Sequence, residues 1–345
     1  PRFPNVFEPL QLGSVTLRNR IFVPAHTTNF GVDNLPSQRH VDYHRARAKG
    51  GAAMIIFEGI RVHKSSLGRS QGVNGYDPAC IPKFAQVADA VRAEGAHLLG
   101  QVIHLGRHVD GNFARTSSWS ASAIPWTATA PPPHPMAIAE IQDVIKAHAD
   151  VATNLVKAGL TGIEVQMAHG HLLQQFMSPA SNKRNDAYGG SEANRLRFAK
   201  EALRAVREAV GPEVVVGIRV SGDEFLPGGL TIDDMCRIVP DIAAAAHIDF
   251  VNISHSAYHG SYTVSTQMAD MSFPVESFRF ITQRLRTALR DVAPSPVVMT
   301  VCQYRDITDA ESVLADGMTD MVGMARAHIA DPEIVGKAER GDEDK

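Results

Sequence analysis

The chain alternates short runs of apolar residues with longer amphipathic stretches. Continuous apolar runs bounded by turn residues are typical of strands covered on both faces, and apolar residues spaced by three and four are typical of a helix. Strands are predicted at residues 21–25, 53–58, 98–104, 163–167, 214–220, 250–254, 297–302 and 321–325. Helices are predicted at residues 38–49, 82–94, 136–158, 192–210, 232–246, 274–292, 306–315 and from 332 onward.

Eight successive strand and helix units predict an α/β fold, a closed (β/α)8 TIM barrel. An open doubly wound sheet is the alternative, but it usually has fewer strands. A hairpin is predicted at residues 7–18, where apolar and polar residues alternate around Gly13 and Ser14. The length of 345 residues suits one barrel with insertions, so we expect a single domain over residues 1–345.

Two long insertions interrupt the repeating pattern. Residues 105–135 follow the third predicted strand and contain both tryptophans, and residues 255–272 follow the sixth strand and contain two tyrosines. A long segment without secondary-structure signals inside a compact domain is usually a functional loop. A packed excursion that covers the rim of the barrel is an equal alternative.

Composition excludes several classes of protein. The net charge of -3 and the pI near 6.6 leave no basic stripe for a nucleic-acid partner. Cys80, Cys236 and Cys302 lie far apart, without metal-ligand spacing or a disulfide framework. No apolar run approaches the roughly 20 residues of a membrane span, and the N-terminal residues lack a signal pattern. We therefore expect a cytoplasmic enzyme with no membrane or nucleic-acid partner.

Polar residues stand at the C-terminal ends of the predicted strands, where such a barrel places its chemistry. They include few carboxylates and no three-ligand set, so no metal site is predicted. Arginines and hydrogen-bonding histidines suit an anionic or electron-rich cofactor. A structural role is an equal alternative for any one of these residues, whereas the ring as a whole favours a functional site. The ring consists of His26, Glu58, Gln101, His104, Gln166, His169, Arg219, His255, Cys302 and Arg326.

The segment after the fourth strand carries the densest signal. His169 and His171 follow the strand directly, and a polar loop then leads to Ser191, the predicted N-cap of the next helix. Such an elaborate loop is more than a connection between two elements requires, so we expect it to contribute to the site.

Five segments occur in a recognisable order: NRIFVPA, QVIHLGR, HGHLLQQFMSPASNKRNDAYGGSEANRLRF, GIRVS and DMVGMARAHIADPE. Together they resemble the old yellow enzyme family of FMN-dependent oxidoreductases. The similarity runs essentially from end to end and is most specific in the block that begins at His169. Within that family the chain looks closest to the branch that holds trimethylamine dehydrogenase and dienoyl-CoA reductase.

The resemblance implies FMN at the strand C-termini. By position, Gln101 would hydrogen-bond the pyrimidine edge of the flavin, and Arg219 would lie by N1 and the C2 carbonyl, where a fixed cation raises the affinity for electrons. Arg326 and backbone amides of the last two loops would hold the phosphate. The resemblance also places around the cofactor Pro24, Ala25, His26, Glu58, Cys302 and Gly323.

The chain departs from the family pattern at several positions. Alkene-reducing relatives carry a His pair or a His and Asn pair that grips the substrate carbonyl, followed by a proton-donating Tyr; the matching residues here are Gln166, His169 and His171, which we predict to be catalytic. His26 replaces the cysteine through which trimethylamine dehydrogenase attaches its flavin. We therefore expect non-covalent FMN, with a histidyl link as the alternative. Cys302 stands where relatives usually have Gly, and a small strand-end residue is favoured over a redox role.

Large relatives continue beyond the position of Lys345 into a cysteine-rich motif and further nucleotide-binding domains. The charged segment KAERGDEDK resembles the residues that lead into that motif. We therefore expect a 4Fe-4S cluster only if the chain continues beyond residue 345, in which case residues 1–345 form the first domain of a longer protein.

Oxidation of a methylated amine is the function that we predict first. The resemblance and the missing Tyr proton donor favour it, and aromatic faces bind a methylated ammonium with roughly 0.5 to 2 kcal/mol per contact. A carboxylate on the substrate, as in methylated amino acids or betaines, would bind His169, His171 or His255. The candidate aromatic residues are Trp119, Trp126, Tyr258 and Tyr262.

Reduction of an enone or enoyl thioester by NAD(P)H is the second hypothesis, with Gln166 and His169 polarising the carbonyl and His171 as the acid. A non-redox lyase or binding module is the third, but it needs a Schiff-base lysine or metal carboxylates, which the strand ends lack. The expected partners are a small-molecule substrate, NAD(P)H or another electron acceptor, and further copies of the chain in a homo-oligomer.

Overall fold

The apolar runs form a closed barrel of parallel strands in the computed structural model, which describes residues 2–109, 111–259 and 262–343. Each strand pairs with the next, and the pairs Val322 with Ile21 and Phe22 with Met54 close the ring. The predicted TIM barrel is thereby confirmed. Its strands are β1 (Ile21–Val23), β2 (Met54–Arg61), β3 (His97–Ile103), β4 (Gly162–Met167), β5 (Val215–Ser221), β6 (Phe250–Ser254), β7 (Val297–Thr300) and β8 (Met321–Gly323).

A helix follows each strand and covers the outside of the barrel. The fourth helix begins at the predicted cap, because Oγ of Ser191 accepts a hydrogen bond from the backbone N–H of Asn194 at 3.2 Å. The sixth helix is shorter than predicted, since residues 275–278 form turns. The helices are α1 (Gln38–Lys49), α2 (Cys80–Ala93), α3 (Ile138–Lys157), α4 (Glu192–Val210), α5 (Ile232–Ala244), α6 (Arg279–Ala288), α7 (Ile307–Ala315) and α8 (Ile334–Arg340).

Most strand ends differ from the prediction by one to three residues, and two of the differences move a candidate site residue. β2 continues to Arg61 after a register shift between Phe57 and Ile60, so Glu58 lies inside the strand and not at its C-terminal end. β7 ends at Thr300, which places Cys302 in the turn that follows, with a left-handed φ of 94°. Side chains on either side of a bulge change direction, which an apolar pattern does not reveal.

The two insertions contain short elements that the sequence did not predict. The first holds a 3-10 turn at Gly106–His108, a helical turn at Gly111–Ala114 and a pair of two-residue strands at Trp119–Ser120 and His134–Pro135. The second holds a short helix, Tyr262–Gln267. Tyr262 opens that helix, and its side chain lies outside the described part of the chain. The insertions therefore form structured walls over the C-terminal end of the barrel.

The N-terminal hairpin closes the opposite end of the barrel. Its strands, Leu10–Leu12 and Val15–Leu17, pair antiparallel as predicted. Leu12 and Leu17 are fully buried against Phe22 and Phe250 inside the barrel, and burial of such a side chain contributes about 1.5 to 3 kcal/mol. Because the lower interior is packed, only the C-terminal mouth is left for chemistry. No helix among the described residues is both long and apolar enough to cross a membrane.

Candidate functional site

Gln101 and Asn252 bind one buried carboxylate inside the barrel, that of Glu164, and the charge of Arg219 acts on the same carboxylate. Nε2 of Gln101 donates to Oε1 of Glu164 at 2.7 Å, and Nδ2 of Asn252 donates to Oε2 at 2.7 Å. Glu164 is fully buried, and burial raises its pKa while Arg219 opposes that rise. Sequence reasoning missed Glu164 and Asn252, although a single Glu within an apolar strand is a signal of a buried polar network.

The guanidinium of Arg219 is buried with part of its donor capacity unused. Nη1 donates weakly to the carbonyl of Ala25 at 3.5 Å, and Nε has no hydrogen-bond partner among the described residues. Burial lowers the pKa of Arg219, and the charge of Glu164 opposes this. A buried donor without a partner calls for an acceptor, and the electron-rich edge of a flavin ring supplies one. The residues at the mouth therefore fit the FMN that the resemblance implies.

His26 follows β1, and both of its ring nitrogens are already bonded within the protein. Nδ1 donates to the carbonyl of Pro24 at 2.7 Å, and Nε2 accepts from the hydroxyl of Tyr43 at 2.6 Å. Burial lowers the pKa of His26, which favours the neutral ring that this arrangement needs. Since a histidyl-flavin link requires a ring nitrogen, these bonds favour a cofactor that is held without a covalent bond.

The carboxylate of Glu58 bonds the loop after β1 and does not line the mouth of the barrel. Its Oε2 accepts from the backbone N–H of Thr28 at 2.9 Å, and its Oε1 accepts from the Thr28 hydroxyl and from Nε2 of His40 at 2.9 Å. Both carboxylate oxygens are therefore committed to fixing the segment that carries His26. These bonds give Glu58 a structural role and do not support the predicted contact with the cofactor.

The loops after β7 and β8 place Cys302, Arg326 and Gly323. Burial raises the pKa of the Cys302 thiol to about 11, so the thiol stays protonated and a redox role is disfavoured. Nη2 of Arg326 donates to the carbonyl of Ala269 at 2.8 Å, which ties the loop after β8 to the insertion after β6. Arg326 is otherwise exposed, and Gly323 ends β8 beside the ring of Phe22.

His255 is buried behind the mouth. Its Nε2 donates to the carbonyl of Thr266 at 2.8 Å, and its ring stacks on Phe278 with centroids 4.1 Å apart. Sγ of Cys302 lies 3.8 Å from the same nitrogen. Burial lowers the pKa of His255 to about 4, so the ring is neutral. The structure thus uses His255 to anchor the second insertion, and the predicted contact with substrate has no support in its hydrogen bonds.

His169 is held in one orientation by polar neighbours. Nε2 of Gln166 donates to its Nδ1 at 3.3 Å, and its own Nε2 donates to Oγ of Ser254 at 2.8 Å. Its backbone N–H donates to Oγ of Ser221 at 3.0 Å, and its φ of 60° is left-handed. Burial, and then the charge of Arg219, lowers the pKa of His169 well below its usual range. A neutral, fixed imidazole in strained backbone is typical of a functional site.

Two glutamines that the sequence prediction overlooked clamp the turn between the histidines. Oε1 of Gln174 accepts from the N–H of Gly170 at 2.8 Å, and Nε2 of Gln175 donates to the carbonyl of the same residue at 2.6 Å. Glu224 orients the first glutamine, accepting from its Nε2 at 2.7 Å. Gly106 packs so closely on Gln175 that a Cβ there would lie 2.4 Å from Oε1. The position of His171 therefore depends on these supports.

Four rings from three different segments meet above the turn; we call them the rim aromatic cluster. The ring of His108 lies 5.4 Å from Trp126, 5.2 Å from His171 and 5.5 Å from Tyr258, in edge-to-face arrangements. Nε2 of His108 donates to the carbonyl of Tyr258 at 3.0 Å. Burial lowers the pKa of His171 to about 4, and it lowers the pKa of His108 as well. The two histidines of the cluster are therefore uncharged near neutral pH.

Trp119 and His104 lie together, apart from this cluster, so the structure does not bring Trp119 together with the other candidate aromatic residues. The Trp119 ring packs 5.5 Å from His63 and 6.4 Å from His104. Nε2 of His104 donates to Oγ of Ser65 at 2.8 Å, Ser65 bonds Nδ1 of His63 at 2.7 Å, and His63 reaches Asp143 at 3.2 Å. This chain of bonds leads from the rim outward to the surface. Among the described residues, no group of three or more His, Cys, Asp or Glu side chains has the geometry to hold a metal ion.

Comparisons with known proteins identify the family of the chain. A family model described as the NADH:flavin oxidoreductase / NADH oxidase family matches residues 5–345. The chain is 36% identical over 349 residues to the N,N-dimethylglycine/sarcosine dehydrogenase of Chromohalobacter salexigens, covering 99% of this chain and 49% of that protein. It is 33% identical over 342 residues to the NADH oxidase of Thermoanaerobacter brockii, covering 98% of this chain and 51% of that protein.

The fold superposes on a 2-naphthoyl-CoA reductase in complex with 2-naphthoyl-CoA, with a TM-score of 0.93 and 25% identity, over 99% of this chain and 53% of that one. The chain spans about half the length of the curated relatives that it matches. The matched family covers almost all of the chain, which confirms the resemblance drawn from the motifs. The protein therefore belongs to the NADH:flavin oxidoreductase / NADH oxidase family, the FMN-dependent oxidoreductases that include the old yellow enzymes.

Proposed function

We propose that the protein oxidises an N-methyl group of an amine or amino acid, using FMN as the hydride acceptor. The rim aromatic cluster carries this proposal. Its rings are neutral and edge-on to one another, and such rings attract a methylated ammonium with roughly 0.5 to 2 kcal/mol per contact. A polar, charged substrate without methyl groups would gain less from this surface.

The similarity to the N,N-dimethylglycine/sarcosine dehydrogenase of Chromohalobacter salexigens supports the same substrate class. Bound FMN would supply the acceptor for a hydride from the N-methyl carbon, and hydrolysis of the resulting substrate iminium would give formaldehyde and the demethylated amine. The reacting amine must be secondary or tertiary and unprotonated, because its nitrogen lone pair drives the loss of hydride. The rings attract the ammonium form, which must lose its proton before the hydride leaves; nearby fixed arginines disfavour a second positive charge, and His169 and His171 are neutral.

In this proposal the cofactor is held by the residues at the mouth of the barrel. Arg219, whose Nε has no partner among the described residues, would bind the electron-rich edge of the flavin, and Gln101, which Glu164 holds in place, would bind the same ring. Pro24, Ala25 and His26 line the side next to β1. Arg326, with Gly323 and Cys302 on the last two loops, lies where this fold usually binds phosphate. His169, His171 and Gln166 then stand over the reacting carbon.

Reduction of an activated alkene is the second candidate function. The similarity to an NADH oxidase and to a 2-naphthoyl-CoA reductase favours it. Two features of this site count against it: Gln166 and His169 are bonded to each other, and the ring nitrogen of His169 is occupied by Ser254. In addition, His171 with a pKa of about 4 is a poor proton donor at neutral pH.

Anaerobic titration of the FMN-loaded protein separates the two functions. We expect N,N-dimethylglycine or sarcosine to bleach the flavin absorbance and release one formaldehyde per flavin reduced. Bleaching by NADPH followed by reoxidation with cyclohexenone, without bleaching by any N-methyl amine, would overturn the proposal in favour of alkene reduction.

A substitution in the aromatic cluster tests the observation that carries the proposal. Trp126→Leu should raise the KM for the amine by roughly 3- to 30-fold, the equivalent of one cation-π contact. Phe113→Leu is the matched control, since Phe113 is an exposed aromatic residue of the same insertion. Equal KM values for the two variants would show that the cluster does not bind the ammonium.

A further inference from the structure

Arg107 lies beside the rim aromatic cluster and is 5% exposed. Its backbone N–H donates to Oε1 of Gln175 at 3.2 Å, and its Nη1 donates to the carbonyl of Ile124 at 3.2 Å. Nη2 is 3.5 Å from Nδ1 of His259, and Nε has no hydrogen-bond partner among the described residues. The guanidinium is thus positioned by the first insertion while much of its donor capacity is unused.

No carboxylate of the described residues forms an ion pair with Arg107. Glu224 acts on its charge from a longer distance, but the oxygens of Glu224 are already bonded to Gln174, Ser178 and the N–H of Leu230. A buried cation without a paired anion is costly, and proteins normally pair such a charge or neutralise it. The unpaired guanidinium therefore points to an anion supplied by a ligand.

The ligand that fits both features carries two opposite charges. The next residue along the chain, His108, belongs to the rim aromatic cluster, and His259, which approaches the guanidinium, follows Tyr258 of the same cluster. The neighbouring histidines do not supply positive charge. Burial lowers the pKa of His108, and burial together with the charge of Arg107 lowers the pKa of His259. Arg107 is therefore the cation beside the cluster, and its planar fork matches a carboxylate.

We propose that Arg107 binds the carboxylate of the substrate while the rim aromatic cluster binds its methylated nitrogen, so that the site selects N-methylated amino acids over simple methylamines. This inference rests on the proposed function for its substrate class. It replaces the expectation that His169, His171 or His255 binds the carboxylate, since neutral histidines lack the charge that Arg107 has.

A quaternary ligand provides a way to test binding without turnover. Glycine betaine has the required carboxylate and methylated nitrogen, but it has no lone pair to drive loss of hydride, so it binds and does not react. Choline carries the same trimethylammonium group without the carboxylate. The difference between the two ligands therefore isolates the contribution of the anion.

Isothermal titration of the FMN-loaded protein with both ligands tests the assignment. Arg107→Gln should weaken glycine betaine binding by roughly 10- to 100-fold, because it removes a hydrogen-bonded pair of charged groups. It should leave choline binding unchanged. Arg107→Lys should recover part of the loss, because the charge returns without the fork. Arg115→Gln, at an exposed arginine of the same insertion, should change neither ligand.

Several results would overturn the assignment. An equal loss for betaine and choline would make Arg107 a purely structural residue, and no loss, or no binding of either ligand to the unsubstituted protein, would remove the carboxylate site. If Arg107→Gln does not fold, which its unfolding midpoint will show, the same comparison is made with Arg107→Lys.

The two proposals fail in distinguishable ways. Arg107-dependent betaine binding without oxidation of any N-methyl amine would contradict the proposed function alone. Oxidation of N,N-dimethylglycine with an unchanged KM in Arg107→Gln would contradict the Arg107 assignment alone.

Discussion

The buried carboxylate of Glu164 offers a direct test of how the mouth of the barrel is held together. It accepts hydrogen bonds from Gln101 and Asn252, each at 2.7 Å, and it is the negative charge that opposes the loss of charge on buried Arg219. Glu164→Gln keeps the shape and removes the charge. The variant retains one acceptor oxygen, and its new amide N–H2 faces one of the two donors.

The expected cost follows from those contacts. One buried donor left without an acceptor costs about 1 to 3 kcal/mol. Asn252 moderates this cost, because its Oδ1 has no partner among the described residues and can accept from the new amide once the side chain flips. Loss of the negative charge adds to the cost, because Glu164 stabilises the charge of Arg219 from a distance, without an ion pair among the described residues. We therefore expect Glu164→Gln to lower the free energy of unfolding by about 1 to 3 kcal/mol, roughly a 5- to 150-fold change in the unfolding equilibrium.

Equilibrium urea unfolding, followed by circular dichroism with and without FMN, measures this loss. Glu201→Gln is the matched control, since that carboxylate is only partly buried and accepts a single bond from the Tyr188 hydroxyl at 2.8 Å. It should cost about 1 kcal/mol. In an Arg219→Gln background the cost of Glu164→Gln should shrink, because the unpaired cation is gone. An unchanged midpoint, or the same cost in both backgrounds, would refute the electrostatic account of the mouth.

Two further predictions follow from the histidines. Four buried histidines have folded-state pKa values of about 4, below the unfolded value of about 6.5. Between these two pH values the unfolded chain binds more protons than the folded chain, so the free energy of unfolding falls as the pH drops. The four histidines are His148, His171, His255 and His328. Each should lower the free energy of unfolding by about 1.4 kcal/mol between pH 7.5 and 5.5. Urea unfolding should therefore show that this free energy depends less steeply on pH in His148→Gln, but not in His247→Gln, whose site is exposed. Equal pH dependence in the two variants would contradict this prediction. Ser254→Ala removes the hydrogen-bond partner of Nε2 of His169, so kcat for the N-methyl amine should fall about tenfold while the affinity for FMN is unchanged. Ser312→Ala, at an exposed site, should alter neither quantity. A tenfold fall of kcat in both variants would contradict the role of Ser254.

The sequence alone determined the fold to a large extent. Alternation of apolar runs with amphipathic stretches is a local property, and it predicted α1 and α4 to the residue and β6 as well. The N-cap at Ser191 and the hairpin were equally local. Strand ends were less predictable, since the bulge in β2 and the turn at Cys302 depend on contacts with neighbouring strands.

The motifs also predicted that Arg219 and Gln101 face one site, and both side chains lie near Glu164. Their convergence depends on Glu164, which an apolar strand pattern conceals because one polar residue hardly alters the pattern. Glu58 shows the reverse: the sequence predicted it at the C-terminal end of β2, but the strand continues to Arg61 and the carboxylate of Glu58 bonds Thr28 and His40.

Only the tertiary structure decided which aromatic and charged residues act together. Trp119 and Trp126 lie in one insertion and look alike in sequence, yet only Trp126 reaches His108. His108 and Tyr258 meet although 150 positions separate them. Whether Arg107 is paired likewise depends on every carboxylate that folding brings near it. Sequence patterns record the face on which a side chain lies, whereas charge pairing and burial arise from contacts between distant segments, which exist only in the folded chain.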